Sequence, residues 1–596
     1  MARIKQFFKK NIYFSTARNI IYLFDRDLKK KSTFITFLVL SNVLIDLVGL
    51  SLIFPIILIA LDVELLLTNK YILHFYNYFE FSSTKSFLIV FVILIFIFFF
   101  LKNLLSIFIN KKQINFGLYV GEKFSLNEFR LFSNENFLNV KKIKSTLVER
   151  NIVTIPYFLV AFIVQPFILI TTELIMSFII LFSLVIYDWK IVALIFFSIT
   201  PPFIFAYFFS KNKLELFSRK IIELTPKVNQ WIYQSFFGFI DMKILGRENF
   251  FYEKFKTNLS DKNYNFGWQS LYKTIPVKII EVSIVFLLIL IIMYGFFFVE
   301  NRKEFSVFLT IFSVSLFRII PLVNRVIQSV LLLKGFEYIF EIIHNISPHI
   351  QNNELPNKVE KFKSLELKNL DFGYDKINII DNLSLNILKG DCVGIVGESG
   401  SGKTTLVNII LGFLKPNNGK VLFNGEDIGL KKSKSWLKTI GYVQQGVYII
   451  DGTIKENILF GEDKPNLDKL DAVCKEVNIF DFINQQDNKY NTKIGELGSL
   501  ISGGQKQRIG IARALYNNCE ILVLDESTNS LDQKTEKEII DSLKTLNNNG
   551  LTLIIIAHNN KVLSFCNKII KLDKGKFEVS TNEEYFKKNN WLNYKY

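Results

Sequence analysis

The chain has 596 residues, half of them hydrophobic, with 61 phenylalanines and a positive mean hydropathy, a composition that excludes an ordinary soluble protein. Its net charge of +17 comes without basic patches interleaved with base-stacking aromatics, so nucleic acid is set aside as a partner. The four cysteines (Cys392, Cys474, Cys519, Cys566) follow no metal-ligand spacing and predict no disulfide framework. In chain order, residues 1–32 form a basic segment with Lys5, Lys9, Lys10, Arg18, Arg26 and Lys29-Lys30-Lys31, expected on the cytoplasmic side. Apolar stretches follow at about 33–61, 86–109, 155–187, 190–210, 274–299 and 305–333. Each supplies the roughly 20 residues that cross a hydrocarbon core of about 30 Å. They predict a six-helix membrane domain over 33–336, with a tight turn near Tyr187-Asp188-Trp189-Lys190 dividing the third and fourth spans. The first stretch exceeds a signal-peptide core and has no small-residue cleavage site, so it is expected to be retained.

Charge orients the spans. The regions at about 110–150 and 211–273 are rich in Lys and Arg and are expected inside, whereas 62–84 carries Asp62, Glu64 and Glu80 and is expected outside. Anionic lipid and topology then account for much of the positive charge. Polar residues within spans are costly and mark either a cavity or a pairing. Here they are Asn42, Asp46, Glu173, Glu281, Arg318, Asn324 and Arg325, with Lys102 and Lys278 near span ends. Arg318 and Arg325 stand seven residues apart, two turns along one helical face and about 10 Å from each other. Such a pair suits a phosphate or pyrophosphate group, which guanidinium holds bidentately. The other reading pairs the arginines with Asp46, Glu173 or Glu281 to fix helix packing.

A linker is expected at 337–360 and a soluble α/β domain at 361–596. Within it, Gly397-Glu398-Ser399-Gly400-Ser401-Gly402-Lys403-Thr404 follows the apolar run Val393–Val396 and opens into Leu406–Ile410, the strand-loop-helix context of a phosphate-binding loop. The glycines turn backbone N–H groups toward a β-phosphate at the positive end of the next helix. Lys403 is placed toward the β/γ-phosphates, Thr404 toward Mg2+, and Thr405 lies beside it. Downstream come Ser502-Gly503-Gly504-Gln505, then Ile521–Leu524 ending in Asp525-Glu526, then Ser530-Leu531-Asp532, then Leu553–Ala557 ending in His558. Asp525 is placed to hold Mg2+ and Glu526 to polarise the water that attacks the γ-phosphate.

This ordered set resembles the ATP-binding cassette (ABC) family. The resemblance implies a cytosolic α/β ATPase joined to six long transmembrane helices of the type IV exporter fold. It makes Tyr374 the adenine-stacking aromatic, Gln445 a Mg2+-sensing residue, Ser502, Gly504 and Gln505 the signature that closes on ATP, Asp532 part of the aspartate loop and His558 the switch histidine. Gly495-Glu496 and the segments at about 130–140 and 246–254 resemble the contacts between cassette and intracellular loops. Ile501, Asn529 and Gln444 depart from the usual residues, none of them removing a needed donor or charge. ATP is closed between two cassettes in this family, so one cassette implies a homodimer, with a heterodimer as the alternative. Phe317–Val326, with its Arg-Pro-Asn-Arg pattern, resembles bacterial lipid-linked oligosaccharide flippases, as do Asp46 with Ser51–Pro55 and the external segment 69–79. Lys102 and Val277-Lys278 depart from arginines usual there. The implied protein is a multi-pass exporter of the bacterial inner membrane that uses ATP and Mg2+, with Arg318, Arg325, Lys102 and Lys278 facing a lipid-linked glycan. Export of a peptide, a drug or another lipid such as lipid A is the alternative.

Overall fold

The computed structural model describes residues 12–52, 76–78, 83–187, 189–298, 302–346, 360–374, 377–428, 436–525, 532–557, 559–573 and 576–588. They form two compact units, one of Met1–Glu135 with Val140–Ile350, the other of Gln351–Tyr596 with Asn136–Asn139.

The first unit is helical. Its elements are α1 (Ile12–Leu23), α2 (Arg26–Ser51), α3 (Thr84–Ser133), the second half of a short α4 (Phe137–Lys142), α5 (Gln165–Tyr187), α6 (Trp189–Phe237), α7 (Glu248–Phe298) and α8 (Arg302–Phe336). Stretches Arg26–Gly49, Ser86–Ser133, Ser145–Phe182 and Glu248–Phe297 are long and apolar enough to cross a membrane. The predicted spans 190–210 and 305–333 fall within α6 and α8. At 1.5 Å per residue, the 50 residues of α3 and 51 of α7 outrun a bilayer by more than twofold, so the same helices continue into the aqueous phase. A reciprocal Ser83–Ser86 capping box starts α3. Prolines 201, 202, 226, 276 and 321 sit inside α6, α7 and α8; neighbouring helices make this tolerable in lipid. Along α6 and α7, Phe217 stacks on Trp268 and Tyr272, and Gln269 donates to the Ser218 hydroxyl at 2.8 Å. Ahead of α5 the third span contains two π-helical turns, Arg150–Thr154 and Val160–Val164. Gly117 and Gly121 of α3 approach the second one so closely that a Cβ on Gly121 would come within 2.8 Å of Val160 Cγ2.

The second unit holds two sheets. One is antiparallel, in the order β2 (Ile377–Leu388), β1 (Ser364–Tyr374), β4 (Asn418–Phe423), β5 (Glu426–Asp427). The other runs β10 (Lys576–Thr581), β9 (Lys568–Asp573), β3 (Cys392–Gly397), β8 (Thr552–Ile556), β7 (Ile521–Asp525), β6 (Ile440–Val443), parallel from β9 to β6. Strands β3, β7 and β8 are buried almost end to end, the continuous apolar runs expected when helices cover both faces of a parallel sheet. Helices α9 (Lys403–Ile410), α10 (Gly503–Tyr516) and α11 (Gln533–Asn548) follow β3, precede β7 and precede β8.

The structure corrects the sequence reading at 337–346 and at 246–254. Residues 337–346 are not linker: Tyr338, Ile339, Phe340 and Ile343 are buried in the helical unit, because their spacing gives the Ile339–Ile346 helix one apolar face. Much of the basic segment 1–32 is also packed, with Ile20, Phe24 and Leu28 in that same core. The transverse element expected at 246–254 lies earlier, at Phe239–Ile244. Gly238 begins it and Gly246, in the left-handed region at φ +60°, ends it, so residues from Glu248 onward start α7 instead. Of the external segment 69–79, only Tyr76–Tyr78 belongs to the described residues.

Candidate functional site

The parallel sheet gathers the nucleotide motifs. Strand β3 delivers Gly397 at its end; β7, which pairs with β8 so that Asp525 faces Ile556, delivers Asp525; β6 leads to Gln444 and Gln445. In an open α/β sheet, ligands bind beyond such carboxyl ends. Glu526 and His558 lie outside the described residues, but Asp525 and Ala557, which precede them, stand at the ends of neighbouring strands.

The loop after β3 is shaped by its glycines. Gly400 and Gly402 take φ of +81° and +99°, and a Cβ on Gly402 would meet Ile379 Cγ2 at 2.6 Å. Gly397 has room for no side chain either, with the Leu572 carbonyl and Ser401 Oγ each 2.5 Å from an added Cβ. Lys403 opens α9, is buried, and its ammonium donates to the carbonyls of Gly397 (2.9 Å) and Glu398 (3.0 Å). The loop therefore curls around a fixed positive charge at a helix N-terminus, as an incoming phosphate requires. Thr404 is exposed and Thr405 half-buried beside it. The Ser401 Oγ is buried without a hydrogen-bond partner, an orphan that a phosphate oxygen could satisfy.

Asp525 is buried, and the Tyr442 hydroxyl donates to its Oδ2 at 3.3 Å. Burial first, then the carboxylate's charge, pushes the Tyr442 phenol well above its usual range, so it stays a donor. Sequence motifs did not single out Tyr442; only the β6–β7 register, which sets it opposite Val523, brings it to Asp525. Asp525, Thr404 and Gln445 supply the hard oxygen donors that Mg2+ prefers. Tyr374 ends β1 with its ring 40% exposed, braced edge-on by Phe372 at 5.0 Å.

Elsewhere, Ser502 caps α10 through a reciprocal box with Gln505: its backbone N–H donates to Gln505 Oε1 at 2.8 Å, and Gln505 N–H returns to Ser502 Oγ at 3.3 Å. Ser502 and Gly503 are exposed, Gly504 buried. Asp532 caps α11, accepting from the Thr535 N–H at 3.0 Å. The Thr535 backbone and hydroxyl bonds hold its carboxyl below the ordinary range.

Within the same unit, Asn136–Asn139 are folded in with the cassette, and Phe137 stacks on Phe413 with centroids 5.2 Å apart. Phe137 and Leu138 pack against the core that includes Leu406, Val407 and Ile410 of α9.

The membrane charges are arranged differently. Arg325 Nε donates to Glu173 Oε1 at 2.5 Å, Lys102 pairs with Asp46 at 2.7 Å, and Lys278 with Glu281 at 2.8 Å. Arg318 lies on α8, its side chain outside the described residues. Arg325 and Lys102 thus have carboxylate partners on neighbouring helices, whereas Lys278 pairs with Glu281 on the exposed side of its own helix.

Residues 380–529 match the ABC transporter family. A provisionally named export ATP-binding/permease protein of Rickettsia typhi is 38% identical over 42% of this chain and 45% of its own length. The ATP-dependent lipid A-core flippase of Syntrophus aciditrophicus is 36% identical over 42% of each chain. The leukotoxin translocation ATP-binding protein of a Pasteurella haemolytica-like species is 39% identical over 38% of this chain and 32% of its own. The chain thus spans less than half the length of the curated relatives it matches. Over nearly its whole length it shares a fold with a bacterial Atm1-family ABC exporter solved with ATP bound: TM-score 0.78, 20% identity, 95% of this chain and 97% of that one.

Proposed function

We propose that the chain is an ABC half-transporter and that it works as a homodimer coupling ATP hydrolysis to the export or flipping of an amphipathic lipid, most specifically a lipid-linked oligosaccharide. The observation that carries coupling is the four-residue piece Asn136–Asn139, drawn from between two membrane-unit helices into the cassette core beside the helix that starts at Lys403. Within that unit, Phe137 stacks on Phe413, three residues beyond the C-terminal end of that helix, so the segment that follows α3 in the chain is tied to the core beside the phosphate loop.

The nucleotide chemistry follows from the residues already placed. Lys403 and the loop N–H groups hold the β- and γ-phosphates, and Tyr374 offers a face to adenine. Mg2+, when bound among Thr404, Gln445 and Asp525, would neutralise developing phosphate charge. Glu526 takes the general-base role and His558 the switch role that their positions after β7 and β8 imply. The exposed Ser502 end of α10 is left for the phosphate of a second copy's nucleotide. A second copy also has a surface to meet: Phe239, Ile240, Ile244 and Leu245 at the Gly238–Gly246 turn are all more than half exposed.

A lipid cargo is supported by the flippase relative, and the lipid A alternative rests on that same relative. The decisive experiment reconstitutes the full chain in liposomes and follows movement of a fluorescent lipid-linked oligosaccharide. ATP-dependent movement that Glu526→Gln abolishes is expected. Movement of lipid A alone would select the alternative, and full-rate ATP hydrolysis by a strict monomer would overturn the scheme.

A further inference from the structure

Between α2, α3, α5 and α8 lies a cavity of about 410 Å3, within the size range of small-ligand sites. Its walls are unexpectedly polar. Asn42, Ser106, Asn110, Gln113, Gln165 and Thr172 line it together with Asp46, Glu173 and Arg325. The charges are already satisfied: Glu173 by Arg325, Asp46 by Lys102 and more weakly by Asn42 at 3.5 Å. Gly49 makes the second pair possible, since a Cβ there would press on the Lys102 amine at 3.2 Å. Of the neutral groups, Thr172 donates to the Ile168 carbonyl at 2.9 Å. Four others have no partner: among the described residues, the side chains of Ser106, Asn110, Gln113 and Gln165 make no hydrogen bond.

Amides that stand unpaired and accessible on a cavity wall are open to a ligand, and their chemistry selects what fills the space. An amide offers both donors and an acceptor, and a serine hydroxyl likewise. A phosphate brings acceptors and seeks unpaired cations, which the cavity lacks among the described residues; an alkyl tail would leave every amide bare. A group carrying many hydroxyls matches the inventory on both counts. Position adds a second observation. Asn110 and Gln113 flank Lys111-Lys112, where the apolar run of α3 ends, so the cavity sits near headgroup level, within reach of a lipid-borne group. The π turn Val160–Val164 ends immediately before Gln165, and single π turns in α-helices are frequent at functional sites.

We propose that this cavity binds a neutral polyhydroxylated group, a saccharide borne by a lipid, through the amides of Asn110, Gln113 and Gln165 and the Ser106 hydroxyl. The inference deepens the export reading, on which it rests for the cargo being lipid-borne. The Arg325–Glu173 and Lys102–Asp46 pairs then set the shape and neutrality of the site without contacting an anion.

The test compares octyl maltoside with octyl phosphate, both below their micelle concentrations, by calorimetric titration of the full-length protein in nanodiscs. The maltoside should bind at least tenfold more tightly, and Gln113→Leu/Gln165→Leu should weaken it at least tenfold while shifting octyl phosphate less than twofold. Asn110→Leu, at an exposed wall position, should weaken it severalfold should the double variant fail to fold. Tighter or equal binding of the phosphate, or maltoside binding that no wall variant changes, would overturn the proposal and leave a water-filled cavity only. Saccharide selectivity without any ATP-driven lipid movement would sink the export reading instead and leave this site standing.

Discussion

Functional side chains in the cassette are held by backbone, whereas those in the membrane unit are held by one another. Lys403 is fixed by two loop carbonyls, and Ser502 and Asp532 by the N–H groups of helix ends. Arg325 is fixed by Glu173, 152 residues away, and Lys102 by Asp46. The first arrangement leaves the charge aimed outward at a ligand; the second spends it inside the bundle. Substituting a backbone-held residue should therefore remove function at little cost in folding. Substituting a mutually held one should cost folding as well.

The largest expected effect lies in the cassette. Lys403→Ala removes the charge opposite the β/γ-phosphates, and ATP hydrolysis should fall by roughly 10²-fold or more, on the scale of lost transition-state donors. Phosphate release measures it. Unchanged hydrolysis would break the contrast at its strongest point.

A smaller effect concerns Asp391, which sits ahead of β3 and receives hydrogen bonds from Lys568, Asn567 and the Leu388 N–H. Burial would raise its carboxyl, but these donors outweigh burial and hold it below the ordinary value. A depressed pKa means stability that is complete above the unfolded value of about 3.9 and lost as pH falls through the folded value. Asp391→Asn should lower cassette stability at neutral pH by about 1–2 kcal/mol, the cost of losing the charge-assisted bond from the half-buried Lys568. It should also flatten the dependence below about pH 4. Calorimetry of the full chain would show a cassette transition with both changes, or refute the pairing by showing neither.

Phe137→Ala tests how the Asn136–Asn139 segment is held in the cassette core. Loss of the stacked pair, worth about 0.5–1.5 kcal/mol beyond area burial, should reduce ATP-driven transport more than basal hydrolysis. Proportional loss of both would count against Phe137 as a coupling contact.

This contrast also decides what the sequence made legible. Backbone-held sites are local: Gly397–Thr404 and Ser502–Gln505 are contiguous, so their conformation and chemistry travel together in a short string. Even the glycine positions are intelligible, since Gly402 must adopt a left-handed φ against Ile379. The turn at Phe239–Ile244 was also local, bracketed by Gly238 and Gly246, but the charged aromatics just beyond it drew the expectation to 246–254. Side-chain-held sites are not local. Nothing within ten residues of Arg325 marks Glu173 as its partner, and the Tyr442–Asp525 contact exists only through strand register. The orphaned amides of α3 and α5 emerge only once four helices are assembled, because each alone looks like one polar interruption in an apolar run.

The smallest predicted effect is the sharpest test of mutual holding. Glu173 is buried, but the Arg325 side chain is 44% exposed, so solvent reaches one side of the pair and screens it. Each single change, Glu173→Gln or Arg325→Gln, should destabilise the membrane unit, because either leaves a charge facing an uncharged partner. The double change should restore part of that loss, giving a coupling energy of about 1 kcal/mol in a double-mutant cycle followed by thermal unfolding. Saccharide binding should follow the same cycle, falling in both singles and recovering in the double, because the cavity then regains neutrality. Additive losses would mean that Arg325 and Glu173 act separately, which would return Arg325 to the role of an anion ligand and bring the membrane unit closer to the logic of the cassette.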